Sequence, residues 1–130
     1  MQIESRVLGD LALNHIIPTA ITYQNTLINN VQGLKDILPD VYAEVGEVQL
    51  KAIKEISSHI KEIRTLVDDM TEARKVANNM IGGEVERAEA YTQTVLPYLD
   101  KIRYHIDKLE LLVDDEIWPL PKYRELLFFK

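Results

Sequence analysis

The sequence predicts an all-α fold: an elongated three-helix antiparallel bundle with a kinked first helix and a short C-terminal helix. Three observations carry that prediction. Val85, Ala88, Thr92, Val95, Leu99, Ile102, Ile106, Leu109 and Val113 recur at alternating steps of three and four, which places them on one seam of a long helix. Ile53, Ile56, Ile60, Ile63, Val67 and Met70 form an answering seam upstream, and Gly82-Gly83 stands between the two where the chain would turn. In an antiparallel hairpin, facing layers have residue numbers of constant sum. The pairs Ile53 with Leu109, Ile56 with Ile106, Ile60 with Ile102, Ile63 with Leu99 and Val67 with Val95 meet that condition about a turn near Ile81.

The first helix is expected over about residues 3–38. Ile3, Val7 and Leu11 lie on one face, and Leu27, Val31, Leu34 and Leu38 continue it after Pro18. Proline removes a helical hydrogen bond and crowds the preceding turn, so a kink or short break is expected near Ile16-Ile17-Pro18. Asn25, Asn29 and Asn30 are weak helix formers, which leaves packing to hold this part. Leu38-Pro39 ends the helix, and Asp40 is placed to cap the next one. That second helix is expected over about residues 41–80, roughly 60 Å at 1.5 Å per residue. Gly46 is a soft spot in it, weaker than alanine by ~1 kcal/mol. The third helix is expected over about residues 84–114. Glu84 and Glu86 suit its positive N-terminal end, and Pro97 is expected to bend it without ending it, because the seam runs on in phase.

The flanks of the hairpin predict where the first helix docks. Ala52, Leu66 and Ala73 face Leu112, Tyr98 and Tyr91 on one side, whereas Ser57, Arg64 and Thr71 face Glu89, Arg103 and Glu110 on the other. The apolar flank is expected to receive the first helix and the charged flank to face water. The tail, 117–130, departs from the pattern. It holds the only tryptophan, both phenylalanines, Leu120, Leu126 and Leu127, with Pro121 placed to start a short helix over residues 122–128. So much apolar surface needs a partner, either the bundle end or another domain, and Trp118, Leu120, Tyr123, Leu127 and Phe128 are the candidate interface residues.

Length and charge bound the function. With 130 residues the chain is one domain with a core of its own. A net charge of −6 with no basic cluster argues against nucleic-acid and anionic-membrane surfaces. There is no cysteine, so disulfides and thiolate metal sites are excluded and a cytoplasmic setting is favoured. No apolar run approaches the ~20 residues of a membrane span, and Met1-Gln2-Ile3-Glu4-Ser5-Arg6 does not open a secretory signal. The patterned sequence starts at once, as expected at a cut between domains and equally at a compact natural start.

No catalytic constellation stands out. His59 and His105 fall level with each other on the apolar flank, and Glu55, one turn before His59, is the nearest carboxylate to complete a metal site. Two imidazoles at the edge of a helix seam are the simpler reading. Contact between them would lower their pKa values and weaken the bundle in acid. The Glu-x-x-His pairs of di-iron bundles are absent, as are phosphate loops, nucleophile elbows and His-Glu-x-x-His. The acidic runs Asp68-Asp69 and Asp114-Asp115-Glu116 read as solvated charge, the tyrosines as interface filler, and so slender a bundle leaves little room for a pocket. Catalytic, cofactor and metal residues are therefore expected to number none.

Two stretches nevertheless carry a resemblance. Glu4-Ser5-Arg6-Val7-Leu8-Gly9-Asp10-Leu11-Ala12, running into Asn14-His15-Ile16-Ile17-Pro18-Thr19-Ala20-Ile21, resembles the start of the C-terminal helical region of type III glutamine synthetases. Tyr98-Leu99-Asp100-Lys101-Ile102-Arg103-Tyr104-His105, and the run through Trp118-Pro119-Leu120-Pro121-Lys122-Tyr123-Arg124-Glu125-Leu126-Leu127-Phe128, resembles its end. Between about Asp40 and Glu89 only the helical character is shared. The resemblance implies a fragment of a cytoplasmic ligase of nitrogen metabolism that makes glutamine from glutamate and ammonia, using ATP and a divalent metal (magnesium or manganese), in ring-stacked oligomers. Its active site is built upstream of this region, so no catalytic residue carries over. The implied partners are the parent catalytic domain and neighbouring subunits of a homo-oligomer, with no nucleic acid and no membrane. The alternative is a free-standing helical interaction module that binds through its apolar tail.

Overall fold

The computed structural model describes residues 2–113, and over that range the chain is helical without strands. The elements are α1 (Gln2–Leu11), a π-helical turn (Ala12–Ile16), α2 (Ile17–Ile37), α3 (Tyr42–Val45), α4 (Glu47–Asn78), α5 (Glu84–Thr94) and α6 (Leu96–Leu112). The tail 117–130, with its expected short helix and interface residues, lies outside the described residues.

Each proline leaves a local signature. Pro18 has no N–H to give to the carbonyl four residues back, and just ahead of it the Ile17 N–H bonds the Ala12 carbonyl, five residues back. The expected break is thus a widened turn, with the backbone right-handed throughout. Pro97 acts differently. Val95 closes α5 through its N–H to the Tyr91 carbonyl at 2.9 Å, and the Tyr98 N–H then bonds the Val95 carbonyl at 3.0 Å in a tighter turn. The expected continuous third helix is therefore two helices.

The second helix is also divided. Gly46 separates α3 from α4, and it is buried where α4 leaves the end of α2. A β-carbon there would stand 3.0 Å from the Tyr42 carbonyl and 3.1 Å from Leu34 Cδ1, so the glycine marks a close approach of two helices. Asp40 does not cap: Val41 takes the N-cap position of α3, with no side-chain cap. At the hairpin turn Gly82 has φ +145°, a conformation L side chains rarely adopt, and its carbonyl accepts a 2.7 Å hydrogen bond from Arg87 Nη1. Gly82→Ala should accordingly cost about 1–3 kcal/mol, read as a lower urea midpoint at unchanged slope.

Helix α4 is the central element, packed on α6 and α5 and also on α2, the π turn and α1. Cross-contacts fix the directions. Gln24 Nε2 donates to the Ser57 hydroxyl at 2.6 Å and to the Ile53 carbonyl at 2.9 Å, while Gln49 Nε2 donates to Asn30 Oδ1 at 3.0 Å, so α2 and α4 are antiparallel. The same reasoning applies to α6, where His59 meets His105 and Leu66 lines a groove with Asp100 and Lys101. Ile56, Ile63, Val67 and Met70 of α4 are buried with Leu99, Ile102, Ile106 and Leu109 of α6, as the seams require.

Three expectations about faces are corrected. Ile3 and Val7 are 74% and 59% exposed, and α1 buries Ser5 and Gly9 instead, followed by Ala12, Ile16 and Ala20. A β-carbon on Gly9 would lie 3.5 Å from Val67 Cγ1, so small side chains let α1 approach α4 closely. On α5, Val85 is 69% exposed and Ala88 and Thr92 are also exposed, whereas Tyr91 is only 3% exposed. Val95 and Leu99 are both buried, so the seam crosses Pro97 in phase and departs from the expected residues only ahead of Val95, where Tyr91 is buried in place of Thr92. Finally, Gln24 places α2 against Ser57, on the flank assigned to water, because one glutamine amide satisfies both polar partners there. Further along that flank Arg64 stays in solvent and pairs with Asp68 at 3.2 Å.

Candidate functional site

The one pair of titratable side chains in direct contact across α4 and α6 is His59 with His105, among the contacts described. Their Nδ1 atoms are 2.9 Å apart, the rings are tilted with centroids at 5.2 Å, and Tyr104 stands edge-on to His105 at 5.1 Å. The helix register explains the meeting, since both residues sit beside their seams at the same level. One Nδ1 must carry its proton and the other must accept it, so the two rings are opposite tautomers when neutral. Burial pushes the His59 pKa below the ordinary imidazole value. The facing His105 pushes it the same way and Lys108 adds to this, while Glu55 and Glu62 oppose it.

The sign follows from linkage. A base whose folded-state pKa is lowered keeps its full stabilisation above the unfolded value, about 6.5, and loses it as pH falls below that value. The chain should therefore melt at a lower temperature at pH 5.5 than at pH 7.5. His59→Gln should reduce that difference, measured by circular dichroism on both proteins. An unchanged pH slope in the variant would assign the acid sensitivity to other groups.

A groove of about 500 Å³, open to solvent, runs beside the pair and is lined by Glu62, Leu66, Asp100, Lys101, Tyr104 and His105. A second open groove of about 430 Å³ lies along α5 between Val85, Ala88, Glu89, Thr92 and Gln93. The room for ligands is thus on the surface of the helices, where a slender bundle was expected to leave little. Among the described residues no three His, Asp or Glu side chains come together to hold a metal ion, so Glu55 does not complete a site with the two histidines. The first groove was not legible in the periodicity, because it arises between α4 and α6, whereas the second is a face of α5 alone.

Of the acidic runs, Asp68 is an exposed partner of Arg64, and Asp114-Asp115-Glu116 lies outside the described residues. Tyr91 is buried, and Tyr23, Tyr42 and Tyr98 are half-buried, in keeping with a packing role. Trp118, Leu120, Tyr123, Leu127 and Phe128 all lie beyond the described residues. No helix among the described residues is long and apolar enough to cross a membrane.

The fold and the groove chemistry define an all-α helical domain. Comparison with known proteins places it. Residues 1–35 match the profile of the family described as "Glutamine synthetase C-terminal domain". Over 131 residues the chain is 58% identical to a glutamine synthetase of Bacteroides fragilis (strain YCH46), covering all of this chain and 18% of that protein. It is 27% identical over 136 residues to a type-3 glutamine synthetase of Dictyostelium discoideum, again covering 100% of this chain and 18% of the relative. A glutamine synthetase of Butyrivibrio fibrisolvens is 23% identical over 128 residues, with 98% and 18% covered. The chain is thus similar along its whole length to glutamine synthetases and over residues 1–35 to their C-terminal domain family, and it spans 18% of the length of these relatives.

Proposed function

We propose that the chain works as the C-terminal helical domain of a type III glutamine synthetase and serves subunit assembly, with no chemistry of its own. The observation that carries this reading is that the whole chain is 58% identical to a glutamine synthetase while spanning 18% of it. The parent would be a cytoplasmic enzyme that joins ammonia to glutamate with ATP. It would hold its divalent metal and nucleotide on residues outside this chain. The partners are the parent catalytic domain and neighbouring subunits of a homo-oligomer. Trp118, Leu120, Tyr123, Leu127 and Phe128 supply the contact, since apolar side chains this dense are stabilised by leaving water.

Deleting residues 117–130 in the full-length enzyme tests this. Helicity should persist, and the assembled fraction in sedimentation velocity should fall. Unchanged assembly would overturn the role given to the tail.

A further inference from the structure

The two imidazoles at the α4–α6 seam are set on a firm scaffold. His59 lies between Ile56 and Ile63, and His105 between Ile102 and Ile106, four buried residues of the core. The packing beneath them fixes where the rings stand, and both rings are half-buried with their Nδ1 atoms turned to each other. Ligands held on rigid helices converge with little reorganisation. Imidazole nitrogen is the donor that borderline divalent metals take from proteins.

We infer that His59 and His105 form a two-histidine site for a divalent transition-metal ion of the nickel or copper kind, which clips α4 to α6. The spacing selects the ion. With metal–nitrogen distances of roughly 2.0–2.1 Å, nitrogens 2.9 Å apart subtend an angle of about 90° at the metal. Neighbouring ligands make that angle in square-planar and octahedral coordination, whereas tetrahedral zinc needs a wider one. The ion stands to one side of the line between the nitrogens, so each ring turns about its Cβ–Cγ bond to aim its lone pair. That torsion is broad for histidine. In the neutral pair one Nδ1 carries a hydrogen, and that ring passes it to Nε2 through solvent. One hydrogen bond is then exchanged for two metal–nitrogen bonds, with no change in the protons held by the pair.

The surroundings suit a cation. The negative charges of Glu55 and Glu62 act on His59 and oppose the positive Lys108. On the His105 side the open groove of about 500 Å³ carries Glu62 and Asp100 against Lys101. It gives the ion a way in and room for the waters that complete its coordination, since no third side chain joins the two histidines among the described residues. Open positions filled by water make the site an exchangeable one. It involves two helices of one chain and does not rest on the assembly reading.

Thermal melts of the 130-residue chain at pH 7.5 in a non-chelating buffer test this, with Ni²⁺ as probe and Mg²⁺ as comparison. Ni²⁺ should raise the melting temperature with a gain that grows with its concentration, because it binds the folded pair. Mg²⁺, which seeks oxygen ligands, should leave the temperature where it was. His59→Gln and His105→Gln should each abolish the gain, and His15→Gln, at an exposed position, should keep it. Should either seam variant lose helicity, proton NMR of the unmodified chain decides. Paramagnetic Ni²⁺ below one equivalent should broaden the ring signals of His59 and His105 and spare those of His15. No gain with Ni²⁺, an equal gain with Mg²⁺, a gain that survives both seam substitutions, or broadening centred on His15 would each overturn the site.

Discussion

Replacing Ile102 with alanine is expected to destabilise the domain by about 2–5 kcal/mol, the range for emptying a fully buried isoleucine site. Ile102 has no exposed surface and sits in α6 among Ile56 and Ile63 of α4 and Leu99, Ile106 and Leu109 of its own helix. Deleting its side-chain carbons removes contacts from the α4–α6 seam, the most extensive packing among the described helices. Ile63→Ala should behave alike. Ile81→Ala, at a fully exposed turn position, should stay within about 0.5 kcal/mol of the parent. Urea unfolding at neutral pH separates these outcomes, because the midpoint shifts while the slope holds. Equal losses at Ile81 and Ile102 would mean that the seam does not carry the stability assigned to it.

Ala20→Leu is the second large effect, with an expected loss of about 1–3 kcal/mol from overpacking. Ala20 is completely buried on the same side of the first arm as Ala12 and Ile16, where the helix approaches α4 and α6. A leucine there must push α2 outward or bend its own rotamer. The paired control discriminates between two faces of the same arm. If Ile3 and Val7 were the buried side, as their spacing suggests, Ile3→Asp and Val7→Asp would each be severe. In the observed packing both are exposed and each should change stability by less than about 0.5 kcal/mol. Thermal melts of the three variants decide the matter.

That reversal shows what hydrophobic periodicity can and cannot reveal. The Ile-rich seam of α4 and the Leu99–Leu109 part of α6 are written in large side chains, and their buried faces were legible from spacing alone. The first arm packs through Ser5, Gly9, Ala12 and Ala20, which carry little hydrophobicity, so a stripe of isoleucine and valine on the opposite face outweighs them. What those residues contribute is closeness, visible only when both helices are in place. Val85, Ala88 and Thr92 fail for another reason. Helix α5 buries Tyr91, the residue before Thr92, and so small a rotation ahead of the break at Val95 leaves no trace in residue spacing. Gln24 is a third case. Its amide joins two polar groups across α2 and α4, and a flank of Ser57, Arg64 and Thr71 reads as solvent-facing until that bridge is seen.

The candidate site was legible in part. Equal distance from the hairpin turn put His59 beside His105, and the two rings do meet. The groove beside them depends on the offset between α4 and α6, which no linear pattern encodes.

An assembly role without chemistry is tested most directly in the full-length enzyme by replacing Tyr123, Leu127 and Phe128 with aspartate and measuring activity per subunit against protein concentration. Loss of activity on dilution, recovered as concentration rises and accompanied by a matching shift in sedimentation, is the expected result. A concentration-independent fall in kcat with assembly intact would contradict it and place this domain in the catalytic step.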